Sequence, residues 1–143
     1  MLQIIKFEKT HWDQIREQAA TQHLREYLSS AAVDALAACP HGFTAIRDDG
    51  VIQGFAGLVE HWPGRAEAWA EFSDTSRSDF LIIHRAVARF LHVAPYRRIE
   101  AAVNCDFPAA HRWIQMLGFK LEAERMISYD PTGADCALYA RTK

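Results

Sequence analysis

Residues 97–119, RRIEAAVNCDFPAAHRWIQMLGF, decide how the rest of the chain is arranged. Ile99, Ala101 and Val103 alternate with Arg98, Glu100 and Ala102, the period-2 pattern of a strand, and the alternation stops at Asn104. A helix is predicted to follow almost at once. Asp106 is suited to an N-cap, and Pro108 suits the first turn, where its missing N–H is no loss. Ala110, Trp113, Ile114 and Leu117 recur at helical spacing, and Gly118 supplies a left-handed C-terminal residue. Phe119 opens the next extended segment, so the unit reads strand, short loop, helix, strand.

Working towards the N-terminus, residues 80–93 place Ile83, Ala86, Val87, Phe90 and Leu91 on one helical face and Arg85 and Arg89 on the other, with Pro95 as the stop. Before them, the polar loop SDTSRSD follows the strand-like RAEAWAEF of residues 65–72. Residues 43–47 and 51–59 flank Asp48-Asp49-Gly50, which is hairpin chemistry, and Trp62-Pro63-Gly64 is a second turn. Residues 2–7 (LQIIKF) read as a first strand. Thr10 with Asp13 marks a capping-box-like helix start, with Trp12, Ile15 and Ala19 on one face. A second amphipathic helix is expected over residues 22–38, ended by Pro40 and Gly42. Beyond Phe119, residues 120–129 and 137–141 flank a Pro131-Thr132-Gly133 turn. The predicted order is βααβββαβαββ, an α/β (α+β) arrangement in one domain spanning residues 1–143 with adjacent antiparallel strands.

Half of the 143 residues are apolar, enough for one core. Sixteen basic against eighteen acidic residues leave a net charge of -2, so nothing in the bulk charge points to nucleic acid or an anionic membrane. No apolar run reaches the roughly 18 residues of a membrane span, and no signal peptide is recognisable, so a cytoplasmic protein is the expectation. Cys39, Cys105 and Cys136 are odd in number and widely spaced, and read as reduced thiols. The seven histidines form no HxH or HExxH pattern, and no metal site is expected.

The element order, with Asn104 ending a strand, Ala110 in the next helix and the Leu117-Gly118-Phe119 ending, resembles the GNAT superfamily of acyl-CoA-dependent N-acyltransferases. The WPGRAEAWA stretch also resembles small GNAT-like proteins of phages and prophages. This resemblance implies a mostly antiparallel sheet whose fourth and fifth strands splay apart, with the pantetheine of acetyl-CoA in the gap. It implies a pyrophosphate on the N-terminus of the following helix. Carried over by position, Phe72, Ser73, Ser76, Arg77 and Ser78 belong to the cofactor-binding loop of residues 73–80 and its approach. Asn104, Phe107, Ala110 and Trp113 lie beside the pantetheine.

Three positions depart from the family pattern. Where the family's loop has small residues, alignment on Arg77 puts Phe80 and Ile82; where many members have a proton-donating Tyr, Ile114 stands. The acid is then one of Tyr129, Cys105, His111 or water. Glu60, Glu67 and Glu71 are candidate bases, and on a strand Glu67, Trp69 and Glu71 share one face, opposite Ala66, Ala68, Ala70 and Phe72. The resemblance implies acetyl transfer to an amine by direct attack, the acceptor being a small molecule or peptide, and makes a homodimer unsurprising. The alternative is a catalytically degenerate GNAT-like interaction or structural module of phage or prophage origin. Each residue has a plainer role to set beside this: Glu67 and Glu71 as a solvated sheet face, Ala110, Trp113 and Leu117 as core, and Asn104 as the cap of a turn.

Overall fold

A computed structural model describes residues 1–17, 33, 34, 37–39, 41–73 and 75–143. Its elements are β1 (Leu2–Lys6), α1 (Lys9–Glu17), β2 (Gly42–Arg47), β3 (Ile52–Trp62), β4 (Arg65–Phe72), α2 (Arg77–Val93), β5 (Arg98–Asn104), α3 (Pro108–Met116), β6 (Lys120–Met126) and β7 (Cys136–Thr142). Seven strands form one sheet in the order β1-β2-β3-β4-β5-β7-β6. Every neighbouring pair is antiparallel except β4 and β5, which are parallel. The expected second helix lies outside the described residues apart from 33, 34, 37 and 38, which are helical. Ala19 and the side chain of Ile15 also lie outside them.

The turns form where the residue chemistry placed them. Gly50 (φ 84°) closes the β2–β3 hairpin, and Gly64 (φ 97°) lets Trp62 pair with Arg65 across the β3–β4 turn. Three boundaries differ from expectation. Helix α2 starts at Arg77, because Ser76 accepts the Asp79 amide at 3.2 Å and caps it. Arg77 and Ser78 are therefore helix residues. Asp106 does not cap α3: the N-cap is Phe107, with no side-chain bond, and Asn104 Oδ1 accepts the Asp106 amide at 2.8 Å in a turn before it. Helix α1 begins at Lys9, one residue before Thr10, and His11 Nδ1 accepts the Glu8 amide at 3.0 Å.

Both sheet faces are covered over part of their area. On one, α2 and α3 pack Leu91, Ile114 and Leu117 onto Leu58, Ala66, Ile99 and Tyr139. On the other, Phe7, Trp12, Val33 and Phe55 form a second cluster that reaches Trp69. The alternation read for β4 is thus realised: Ala66 and Ala68 meet the first cluster and Trp69 the second. No helix among the described residues is long and apolar enough to cross a membrane.

Candidate active site

The feature that makes a site is a break in the sheet. Strands β4 and β5 pair only at Arg65–Arg98, Ala66–Ile99 and Glu67–Glu100, and then part. Beyond that point β4 stays bonded to β3 as far as Phe72, and β5 to β7 as far as Asn104. The inner edges of residues 68–72 and 101–104 are left facing a wedge-shaped gap with their main-chain donors and acceptors turned into it.

The closed end of the gap is clasped by charge. Arg65 donates to both Glu100 oxygens at 3.1 and 2.7 Å, Arg98 donates to Glu100 at 2.6 Å, and Arg98 also grips both Glu122 oxygens at 3.0 and 2.5 Å. The bond from Arg65, then that from Arg98, holds the Glu100 carboxyl below the usual carboxylate range. Glu100→Gln is expected to cost about 1–3 kcal/mol near neutral pH, since it leaves two guanidinium groups short of a partner. Because the folded-state pKa is depressed, this contribution is present above the ordinary carboxylate range and is lost as pH falls through the folded value. Denaturant titrations of both proteins in neutral and acidic buffer should therefore converge at low pH.

Glu67, Trp69 and Glu71 lie on the face of α1, with Glu67 level with Glu100 in the last β4–β5 pair and Glu71 four residues beyond it. Glu67 lies 3.1 Å from His61 Nε2. Glu71 is half-buried, has no side-chain partner among the described residues, and burial pushes its carboxyl up to about 7. Glu67 and Glu71 are roughly 13 Å apart along the strand, so they cannot serve one atom as equivalents. Between them, the Trp69 indole packs against Phe7 and Phe55 at ring distances of 5.7 and 5.6 Å, and its buried N–H has no acceptor among the described residues.

Tyr129 comes to this face from the β6–β7 loop. That loop is held by Asp130, whose Oδ1 accepts from Thr132 and Ala134 amides at 2.9 Å, and by Asp135, which accepts the Ser128 amide at 2.9 Å. Burial first, then the Glu67 carboxylate, raises the Tyr129 hydroxyl above its ordinary value, so it stays a proton donor at neutral pH. Tyr129, 48% exposed, thus stands within electrostatic reach of Glu67 and Glu100.

On the opposite face, at the open end of the gap, are the residues expected to hold a nucleotide. The amides of Arg77 and Ser78 have no acceptor among the described residues, as expected of an α-helix N-terminus. Both side chains are exposed, and Ser78 Oγ lies 3.1 Å from Ser76 Oγ. Ser73 is differently engaged: its amide and hydroxyl both donate to the Gln53 carbonyl, at 2.8 and 3.0 Å. Phe72 and Phe80 each set a ring against Trp113, at 5.5 and 5.6 Å, and the Trp113 indole donates to His84 Nδ1 at 3.1 Å. Ile82, like Phe72 and Trp113, packs against the cluster of Leu2, Ala45 and Ile83.

Asn104 is committed at two atoms, with Oδ1 on the Asp106 amide and its carbonyl 2.9 Å from His111 Nε2. The other ring nitrogen of His111 lies 2.9 Å from the Tyr139 hydroxyl. Ala110 packs on the core beside Ile114, which is buried, while Phe107 is 58% exposed. The partners His61, His84 and Tyr139 carried no signal for these contacts in the sequence. The four-residue spacing of Phe80 and His84 on α2 predicts that they share a side, but nothing local places Trp113 between them and Phe72.

No family model and no curated protein matches the chain. Solved structures do. Ard1 from Thermoplasma volcanium shares the fold with a TM-score of 0.79 at 17% identity, over 99% of this chain and 97% of that one. An acetyltransferase of the GNAT family from Bacillus anthracis gives 0.69 at 15% identity, over 99% and 94%. Spermidine N-acetyltransferase from Vibrio cholerae, in complex with CoA and spermine, gives 0.69 at 14%, over 99% and 95%. At such identities the likeness is one of fold, and the mixed α/β, mostly antiparallel sheet is the GNAT fold.

Proposed function

We propose that this chain, built on the GNAT fold, is an N-acetyltransferase that moves an acetyl group from acetyl-CoA to an amine. The observation that carries the reading is the parting of β4 and β5 beyond Glu67 and Glu100, which leaves two unpaired strand edges facing one gap. An extended pantetheine carries amide groups able to pair with those edges as an added strand does. At the mouth, the Arg77 and Ser78 amides and the Arg77 guanidinium suit a pyrophosphate, whereas Ser73 has committed its donors to Gln53.

Glu71 is the better general base. Glu67 is paired with His61, while Glu71 is unpaired and sits near 7, where a base is half ready and still able to take a proton. The amine nitrogen attacks the thioester carbonyl carbon, a C–N bond forms as the C–S bond breaks, and the amine's proton passes to Glu71. Tyr129 supplies the proton for the departing thiolate. The carboxylate-bearing face beside Trp69 and Tyr129 suits a small-molecule or peptide amine.

Acetyl-CoA at a hundred times its dissociation constant should stabilise the chain by about 2.7 kcal/mol, a shift of several degrees in Tm. Thiol release measured against spermine, a lysine-bearing peptide and a free peptide N-terminus should then rise with one class of amine. The absence of any Tm shift at millimolar acetyl-CoA removes the proposal.

A further inference from the structure

The α2 and α3 helices are joined above the mouth of the gap by one aromatic side chain. Trp113, on α3, is half-buried and meets Phe72, the last residue of β4, and Phe80, in the first turn of α2, in edge-on contacts. Its N–H is spent on His84 Nδ1 at 3.1 Å, and His84 in turn stacks on Phe80 at 6.3 Å. These contacts link the end of β4, the helix whose N-terminus faces the gap and the helix that follows β5. On the acetyl-CoA reading, a nucleotide thioester running from the N-terminus of α2 into the gap passes between these same three elements.

We propose that His84 holds the Trp113 indole across the donor's path, so that the free chain keeps its own slot closed and the thioester enters only when Trp113 is released. This inference rests on the acetyl-CoA reading above. His84 is a positioning residue in this scheme, acting through Trp113. An indole N–H without its acceptor loses a net contribution of the size of one hydrogen bond, and the open arrangement becomes more populated by that factor. Apparent donor affinity rises in proportion, because it is reduced by the fraction of molecules that are closed.

The test is acetyl-CoA affinity by calorimetry, with Tm as the folding control, for the wild type, His84→Leu, His84→Asn and Trp113→Phe. His84→Leu and Trp113→Phe each remove one end of the hydrogen bond and keep an apolar side chain in place. Both should bind acetyl-CoA about three- to tenfold tighter than wild type. His84→Asn keeps an acceptor close to the position of Nδ1 and should return to the wild-type affinity, although it loses the stack on Phe80 as His84→Leu does. Equal affinity in all four proteins, or weaker binding in His84→Leu and Trp113→Phe, overturns the latch and leaves the acetyltransferase reading standing. Folded proteins that fail to bind acetyl-CoA in every case overturn both.

Discussion

Exchanging Glu71 for glutamine is expected to lower acyl transfer by about 10²- to 10⁴-fold while acetyl-CoA affinity stays unchanged, the range of a lost general base. The wild-type kcat/KM should climb as pH rises through about 7, where the buried carboxyl gives up its proton, and this limb should vanish in Glu71→Gln. The same substitution has an opposite signature in stability. Because burial raises the folded-state pKa, the fold prefers the protonated acid; that preference is complete below the ordinary carboxylate range and is lost as pH climbs through about 7. Above about pH 8 the wild type carries a poorly solvated carboxylate that glutamine lacks, so Glu71→Gln should be more stable there by about 1–3 kcal/mol. Near the ordinary carboxylate range the two proteins should unfold alike. An enzyme whose rate and stability ignore this substitution has its base elsewhere.

Gly54→Ala is expected to be strongly destabilising for the addition of a single methyl group. A Cβ at Gly54 would stand 2.2 Å from Phe72 Cδ1 and 2.3 Å from the Glu71 carbonyl oxygen, and the second of these is backbone, which cannot rotate away. Gly54 pairs with Phe72 in the β3–β4 register, so relief requires moving the end of β4. The cost should be about 1–3 kcal/mol, with Tm lower by about 3–10 °C. Turnover should fall further than the folded fraction does, because the displaced residues are Glu71 and Phe72 themselves. Unchanged thermal unfolding would show that β3 and β4 yield freely at this crossing.

Much of this was written in local chemistry. The alternation of Ile99, Ala101 and Val103, the helical spacing of Trp113, Ile114 and Leu117 and the left-handed Gly118 (φ 87°) lie where short-range rules place them. So do the Gly50 and Gly64 turns and the shared face of Glu67, Trp69 and Glu71, because a strand's two-residue period needs no knowledge of its neighbours. The start of α2 was less legible: Ser76, Ser78 and Asp79 are all capable caps, and only the bond from the Asp79 amide to Ser76 chose among them.

The sequence by itself determined the order and type of the described elements and which side chains share a face, since both follow from periodicities of a few residues. The tertiary structure alone decided the surroundings that the proposed chemistry asks of those side chains. The near-neutral Glu71 needs neighbours that exclude water, the pairing of Glu67 with His61 depends on the β3–β4 register, and the meeting of Trp113, Phe80 and Phe72 needs three distant segments brought together. Those are burial and long-range contact, quantities that no window along the chain contains.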